Sequence, residues 1–119
     1  LEPVAGRLDP GETPQEAARR EGLEEAGLTF RHLREVSFCY PSPGSSSEYY
    51  NIYCGITDLP DRTAHVGGCA DEHEDIRSHV MSAERFIAMV DRHEIWVAPL
   101  VLLGHWLARH RDALRAEFS

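Results

Sequence analysis

Residues 6–28 read GRLDPGETPQEAARREGLEEAGL, and the reading of the whole chain starts from this stretch. Thr13-Pro14-Gln15-Glu16 is a helix start. Thr13 can cap, Pro14 suits the first helical position, and Glu16 completes a capping box. The pattern predicts a helix over 14–26, ended by Gly27 in the left-handed conformation. Within it, Glu21, Glu24 and Glu25 are offset by three and four residues, which puts their carboxylates on one face, roughly 5–6 Å apart at Cβ. Like charges that close disfavour each other's ionisation. A divalent cation is the simplest way to make the arrangement favourable, and hard oxygen ligands in this number suit Mg²⁺ or Mn²⁺. On the glutamates alone, a solvated acidic face paired with Arg19 and Arg20 stands as the alternative.

Outward from the helix, the elements are legible in outline. Residues 29–40 (TFRHLREVSFCY) and 48–57 (EYYNIYCGIT) read as strands, joined by the loop Pro41-Ser42-Pro43-Gly44-Ser45-Ser46-Ser47. Residues 58–75 read as a long polar loop ending in the acidic run Asp71-Glu72-His73-Glu74-Asp75. A short strand is expected over 76–81, then a helix capped by Ser82 through about Arg92. Phe86, Ile87, Met89 and Val90 mark its apolar side. Pro99 can open a last helix whose core face is Leu100, Leu103, Trp106, Leu107 and Leu114. The order of elements predicts an α+β or α/β/α sandwich fold rather than a regular alternation of parallel βαβ units.

Composition narrows the function classes. At 119 residues the chain is expected to form one domain. A hydrophobic fraction of 42% argues against disorder. A formal charge of −8 argues against a nucleic-acid surface, which needs clustered Lys and Arg. Cys39, Cys54 and Cys69 have no metal-type spacing, and an odd count does not suit a disulfide framework. Reduced thiols in a cytoplasmic protein are expected. No apolar run approaches the ~18 residues of a membrane span. Leu1-Glu2-Pro3-Val4 reads as the end of a strand feeding into the glycine loop, so an N-terminal portion is expected to be missing.

The spacing Gly6, Glu12, Arg20-Glu21, Glu24-Glu25, Gly27, Leu28 resembles the signature of Nudix hydrolases. Gly22 departs from it, because the family usually has an aliphatic residue there. The resemblance implies an α/β/α sandwich with a mixed sheet, here lacking an N-terminal portion. It implies that Glu21, Glu24 and Glu25 are metal ligands, joined by the carbonyl of Ala5, with two or more ions bound. Arg20 is implied to orient the glutamates, and Glu12 to be structural or electrostatic. Arg7, next to the loop glycine, is a candidate for reaching a phosphate.

The later chain resembles bacterial ADP-ribose pyrophosphatases within that family. Ser42-Pro43-Gly44 resembles their proline element, and Glu48 matches a substrate-contacting position. Glu72 matches the position proposed as general base, and Glu74 an additional metal-site carboxylate. The chemistry agrees: carboxylates committed to metal leave water activation to another group, delivered by a loop. A solvated acidic loop is the alternative. His73 sits between the two loop glutamates, but neighbours in a loop need not point the same way; His79, His93, His105 and His110 lack paired ligand spacing, and Tyr49, Tyr50 and Tyr53 are expected to pack in a strand.

The implied activity is Mg²⁺-dependent hydrolysis of ADP-ribose to AMP and ribose 5-phosphate by a homodimer. Two alternatives stand beside it. One is hydrolysis of another nucleoside diphosphate sugar, such as GDP-mannose, or of a dinucleotide. The other is a non-catalytic nucleotide-sensing or tellurite-type stress-resistance domain.

Overall fold

The computed structural model describes residues 1–44, 47–59, 64–67 and 76–118. Among the described residues, three helices and four strands follow in the order α1 (Pro14–Ala26), β1 (His32–Cys39), β2 (Tyr50–Ile56), β3 (Ala64–Gly67), β4 (Ile76–His79), α2 (Ala83–Asp91) and α3 (Ala98–Phe118). The fold is α+β, as the order of elements predicted. Among the described residues, β1 pairs with β2, and β3 pairs with β4 antiparallel, Ala64 opposite His79 and Gly67 opposite Ile76.

The strand β3 corrects the sequence reading, which made 58–75 all loop. Four residues are too few to reveal a period of two, and polar neighbours surround them. What makes Ala64–Gly67 a strand is pairing with β4, and that partner is not local in sequence.

The chain divides into two compact units. One comprises Leu1–Pro3, Val36–Ile52 and Met81–Ser119. Its core is Val90, Ile95 and Leu100, with Phe86, Met89, Val101 and Leu103 packed against it. Ser82 caps α2 as expected, its side chain accepting from the Arg85 amide at 3.1 Å. The α2 carboxylate of Glu84 pairs with Arg111 of α3, which holds it below the usual carboxylate range. The last helix begins one residue before Pro99, with the Val97 carbonyl accepting from the Leu100 and Val101 amides.

The other unit comprises Val4–Glu35 and Tyr53–Val80. It contains α1, beside which β3 and β4 lie. Both ends of α1 are fixed by the sequence devices predicted for them. Thr13 Oγ1 accepts from the Glu16 amide at 3.1 Å, and Glu16 Oε1 accepts from the Thr13 amide at 3.4 Å. Gly27 has φ +68°, and its amide reaches the Leu23 carbonyl at 3.0 Å. A side chain there would strain the turn that ends the helix. No helix among the described residues is long and apolar enough to cross a membrane.

Candidate active site

The loop before α1 is shaped by its own sequence. Pro10 and Gly11 occupy the middle of a tight turn in which the Glu12 amide donates to the Asp9 carbonyl at 3.0 Å. Gly11 has φ +78°, the conformation a turn with Pro then Gly requires. The Asp9 amide in turn donates to Glu12 Oε1 at 2.9 Å. This brings the Glu12 carboxylate under α1, where Arg20 meets it.

Arg20 is the hub of the loop and helix. Its Nε lies 2.9 Å from Glu12 Oε2 and 3.3 Å from Asp9 Oδ2. Its Nη1 lies 2.7 Å from Glu21 Oε1 and 3.3 Å from Glu24 Oε2. Its Nη2 donates to the Arg7 carbonyl at 2.9 Å and to Glu12 Oε1 at 3.1 Å. A planar guanidinium with five donors can make all of these contacts at once, whereas an ammonium cannot. The pairing pushes Arg20 further above its ordinary value, led by the hydrogen bond to Glu12. Glu12 is held below the usual carboxylate range by Arg20 and then by the Asp9 amide.

One guanidinium against four carboxylates leaves this cluster with a formal excess of three negative charges. Next to it, Glu25 is buried, 8% exposed, and its Oε2 accepts from the Ala5 amide at 3.1 Å. It is the N–H of Ala5 that meets this glutamate, whereas the family resemblance implies a role for its carbonyl. Gly6 lies so close to Glu21 that a Cβ on it would run into the Glu21 carboxyl group. Carboxylates from α1 and backbone from the loop therefore share one small space.

Among the described residues, no three His, Cys, Asp or Glu side chains converge into a complete metal cage. The donor set still fits Mg²⁺. That ion keeps several waters and binds through one or two carboxylates plus substrate phosphate oxygens, not through an all-protein cage. The oxygens on α1 are hard donors, and the excess negative charge favours a cation.

The remaining predicted residues are distributed as follows. Arg7 is exposed, and its carbonyl is engaged by Arg20. Ser42, Pro43, Gly44 and Glu48 belong to the other unit, on the connection between β1 and β2; Ser42 is half-buried and the rest are exposed. That connection is flanked by an aromatic cluster in which Phe38 lies 5.1 Å from Tyr49 and 6.0 Å from Tyr40, ring centre to ring centre. Tyr49 therefore packs with Phe38 while remaining 50% exposed. Glu72 and Glu74 lie outside the described residues, as does Cys69. Cys39 and Cys54 are free, and burial pushes the Cys54 thiol up.

Two contributors were not found from the sequence. Asp9 joins the Arg20 cluster, and the Pro10-Gly11 turn was the signal that could have placed it beside Glu12. Phe30 packs against α1 and β2, and nothing in its local pattern indicates that.

Comparison with known proteins bears on this arrangement. Residues 1–103 match the family described as NUDIX domain. The chain is 40% identical over 119 residues to an ADP-ribose pyrophosphatase of Escherichia coli strain K12, covering 100% of this chain and 56% of that protein. It is 35% identical over 85 residues to an ADP-ribose pyrophosphatase of Haemophilus influenzae, covering 71% of this chain and 39% of that protein. It is 31% identical over 107 residues to a GDP-mannose pyrophosphatase of Citrobacter koseri, covering 90% of this chain and 54% of that protein. The chain thus spans about half the length of the curated relatives it matches.

Proposed function

The chain belongs to the NUDIX domain family, and on that premise we propose that it hydrolyses the diphosphate bond of ADP-ribose to AMP and ribose 5-phosphate with the help of Mg²⁺ or Mn²⁺. Residues 1–119 are read as one NUDIX hydrolase domain that acts as a homodimer in the cytoplasm. The observation that carries the reading is the excess of carboxylates around Arg20, with Glu25 buried beside them. Stability alone would not select it. A polyanionic substrate needs a cation there, and the helix face supplies its ligands.

Two or more bound ions would neutralise the diphosphate and acidify a water molecule. Glu21, Glu24 and Glu25 would hold them, with backbone support at Ala5 and an additional carboxylate at Glu74. Arg20 keeps Glu21 and Glu24 aimed, by contacts at 2.7 and 3.3 Å. Glu72 accepts the proton of the attacking water. Water oxygen joins one phosphorus as the bridging P–O bond breaks, and the two monoesters leave. Arg7, Ser42, Pro43, Gly44 and Glu48 contact the substrate.

The identity to ADP-ribose pyrophosphatases supports this substrate. A GDP-mannose pyrophosphatase among the relatives supports the second reading, a different nucleoside diphosphate sugar. Turnover of both compounds with Mg²⁺ separates the two. ADP-ribose is expected to give the higher kcat/KM, and a clear preference for GDP-mannose would overturn the choice. The four-carboxylate cluster disfavours the sensing alternative, since a domain that only binds an anion gains nothing from it.

A further inference from the structure

We infer that Phe30 is a positioning residue for the glutamate helix: its ring sets where α1 sits against β2 by filling a slot between two glycines. This rests on the reading of α1 as the metal-holding helix. Gly22 lies in α1 between Glu21 and Glu24 and is buried. A Cβ on Gly22 would strike the Phe30 ring, with Cζ only 2.6 Å away. A Cβ on Gly55 of β2 would strike the same ring, at 2.6 Å from Cδ1 and 2.8 Å from Cε1. One ring edge therefore meets α1 and the other meets β2. Two bare backbones and the width of one ring define the spacing.

The backbone around residue 30 is fixed to both elements. The Phe30 carbonyl accepts from Arg19 Nη1 of α1 at 2.6 Å. The Arg31 amide donates to the Ile56 carbonyl at 2.7 Å. The Thr29 carbonyl accepts from Thr57 Oγ1 at 2.8 Å. Residue 30 cannot slide along β2, so its ring cannot be replaced by a shift of its neighbours. Gly22 also accepts from the Leu28 amide at 3.2 Å, which ties the helix end to the same corner.

A helix that can roll about its axis moves its carboxylates through the largest arc. With the ring truncated, the glycine face of α1 loses its contact towards β2, and Glu21, Glu24 and Glu25 lose their fixed aim. Close packing makes such a gap costly and invites the helix to move into it. Metal ligands are sensitive to such changes: loss of supporting contacts typically weakens affinity by about 10–100-fold.

The test is Mn²⁺ titration by calorimetry, with thermal unfolding measured in parallel on the same protein. Phe30→Ala is expected to weaken Mn²⁺ binding by about 10-fold or more at a temperature where the variant is folded. The double variant Gly22→Leu/Phe30→Ala returns bulk to the slot from the helix side and is expected to recover most of that affinity. Phe30→Leu gives an intermediate loss and stands in if Phe30→Ala does not fold. A folded Phe30→Ala or Phe30→Leu variant with wild-type Mn²⁺ affinity would overturn the positioning role alone. So would a double variant that regains thermal stability without regaining affinity. A wild-type protein that binds no Mn²⁺ would overturn the metal reading and this inference with it.

Discussion

Replacing Gly6 by alanine tests the closest contact between the loop and the glutamate helix. The new Cβ would lie 2.7 Å from Glu21 Cγ and closer still to its carboxyl group. Ordinary contact begins near 3.4 Å, so the carboxyl must retreat by about 1 Å. The obstacle is the end of a flexible side chain, and the backbone can stay in place. Overpacking costs typically ~1–3 kcal/mol, and here the low end applies because the side chain can yield. The retreat also breaks the 2.7 Å contact between Arg20 Nη1 and Glu21 Oε1. That pair is partly exposed, so solvent screening keeps its loss small. Overpacking therefore dominates the stability loss, about 1–2 kcal/mol, a fall in Tm of several degrees for a domain of this size. The effect on Mn²⁺ affinity is larger in proportion, about 10–100-fold, because a displaced ligand is lost to the ion. Thermal unfolding and Mn²⁺ calorimetry measure the two terms separately. A folded Gly6→Ala protein that binds Mn²⁺ as tightly as the wild type would refute the reasoning.

Two further perturbations address Arg20 and Glu12. Arg20→Lys keeps the charge but cannot reach Glu12, Glu21 and the Arg7 carbonyl together. kcat/KM for ADP-ribose should fall by about 10–100-fold, and an unchanged value would remove Arg20 from the positioning role. Glu12 is held below the usual carboxylate range by Arg20, so it stabilises the fold fully above its unfolded value, about 4.3, and less as pH falls through its folded one. The wild-type Tm should therefore drop more steeply on acidification below pH 5 than that of Glu12→Gln; parallel curves would show that Glu12 contributes nothing of the kind.

How much of this was legible in the sequence depended on whether the deciding contacts are local. The whole of α1 was, because its determinants lie within four residues of each end: Thr13 with Glu16 at the start, Gly27 at the stop. The caps fix the helix in register, and the register alone puts Glu21, Glu24 and Glu25 on one side. The same holds for α2, where Ser82 and the spacing of Phe86, Met89 and Val90 suffice. The strand β3 was not legible, since its four residues are made a strand by β4. Arg20 was marked by its place in the pattern, but its reach to Asp9 and the Arg7 carbonyl required the folded loop. The ring of Phe30 is the clearest case of what sequence hides. In the sequence Gly22 stands only as a departure from the family pattern, and the structure shows a gap filled from eight residues downstream.

The most direct test of the central claim is hydrolysis of ADP-ribose with Mg²⁺ by the wild type and by Glu25→Gln. Glutamine has the shape of glutamate and can still accept from the Ala5 amide, so the buried position stays filled while the charge is gone. The wild type is predicted to release AMP and ribose 5-phosphate in equal amounts. Glu25→Gln is predicted to lose turnover on the order of 100-fold or more, with ADP-ribose binding much less affected. A wild type that releases no AMP, or a Glu25→Gln protein that matches it, would contradict the assignment of the glutamate helix as the metal-holding element.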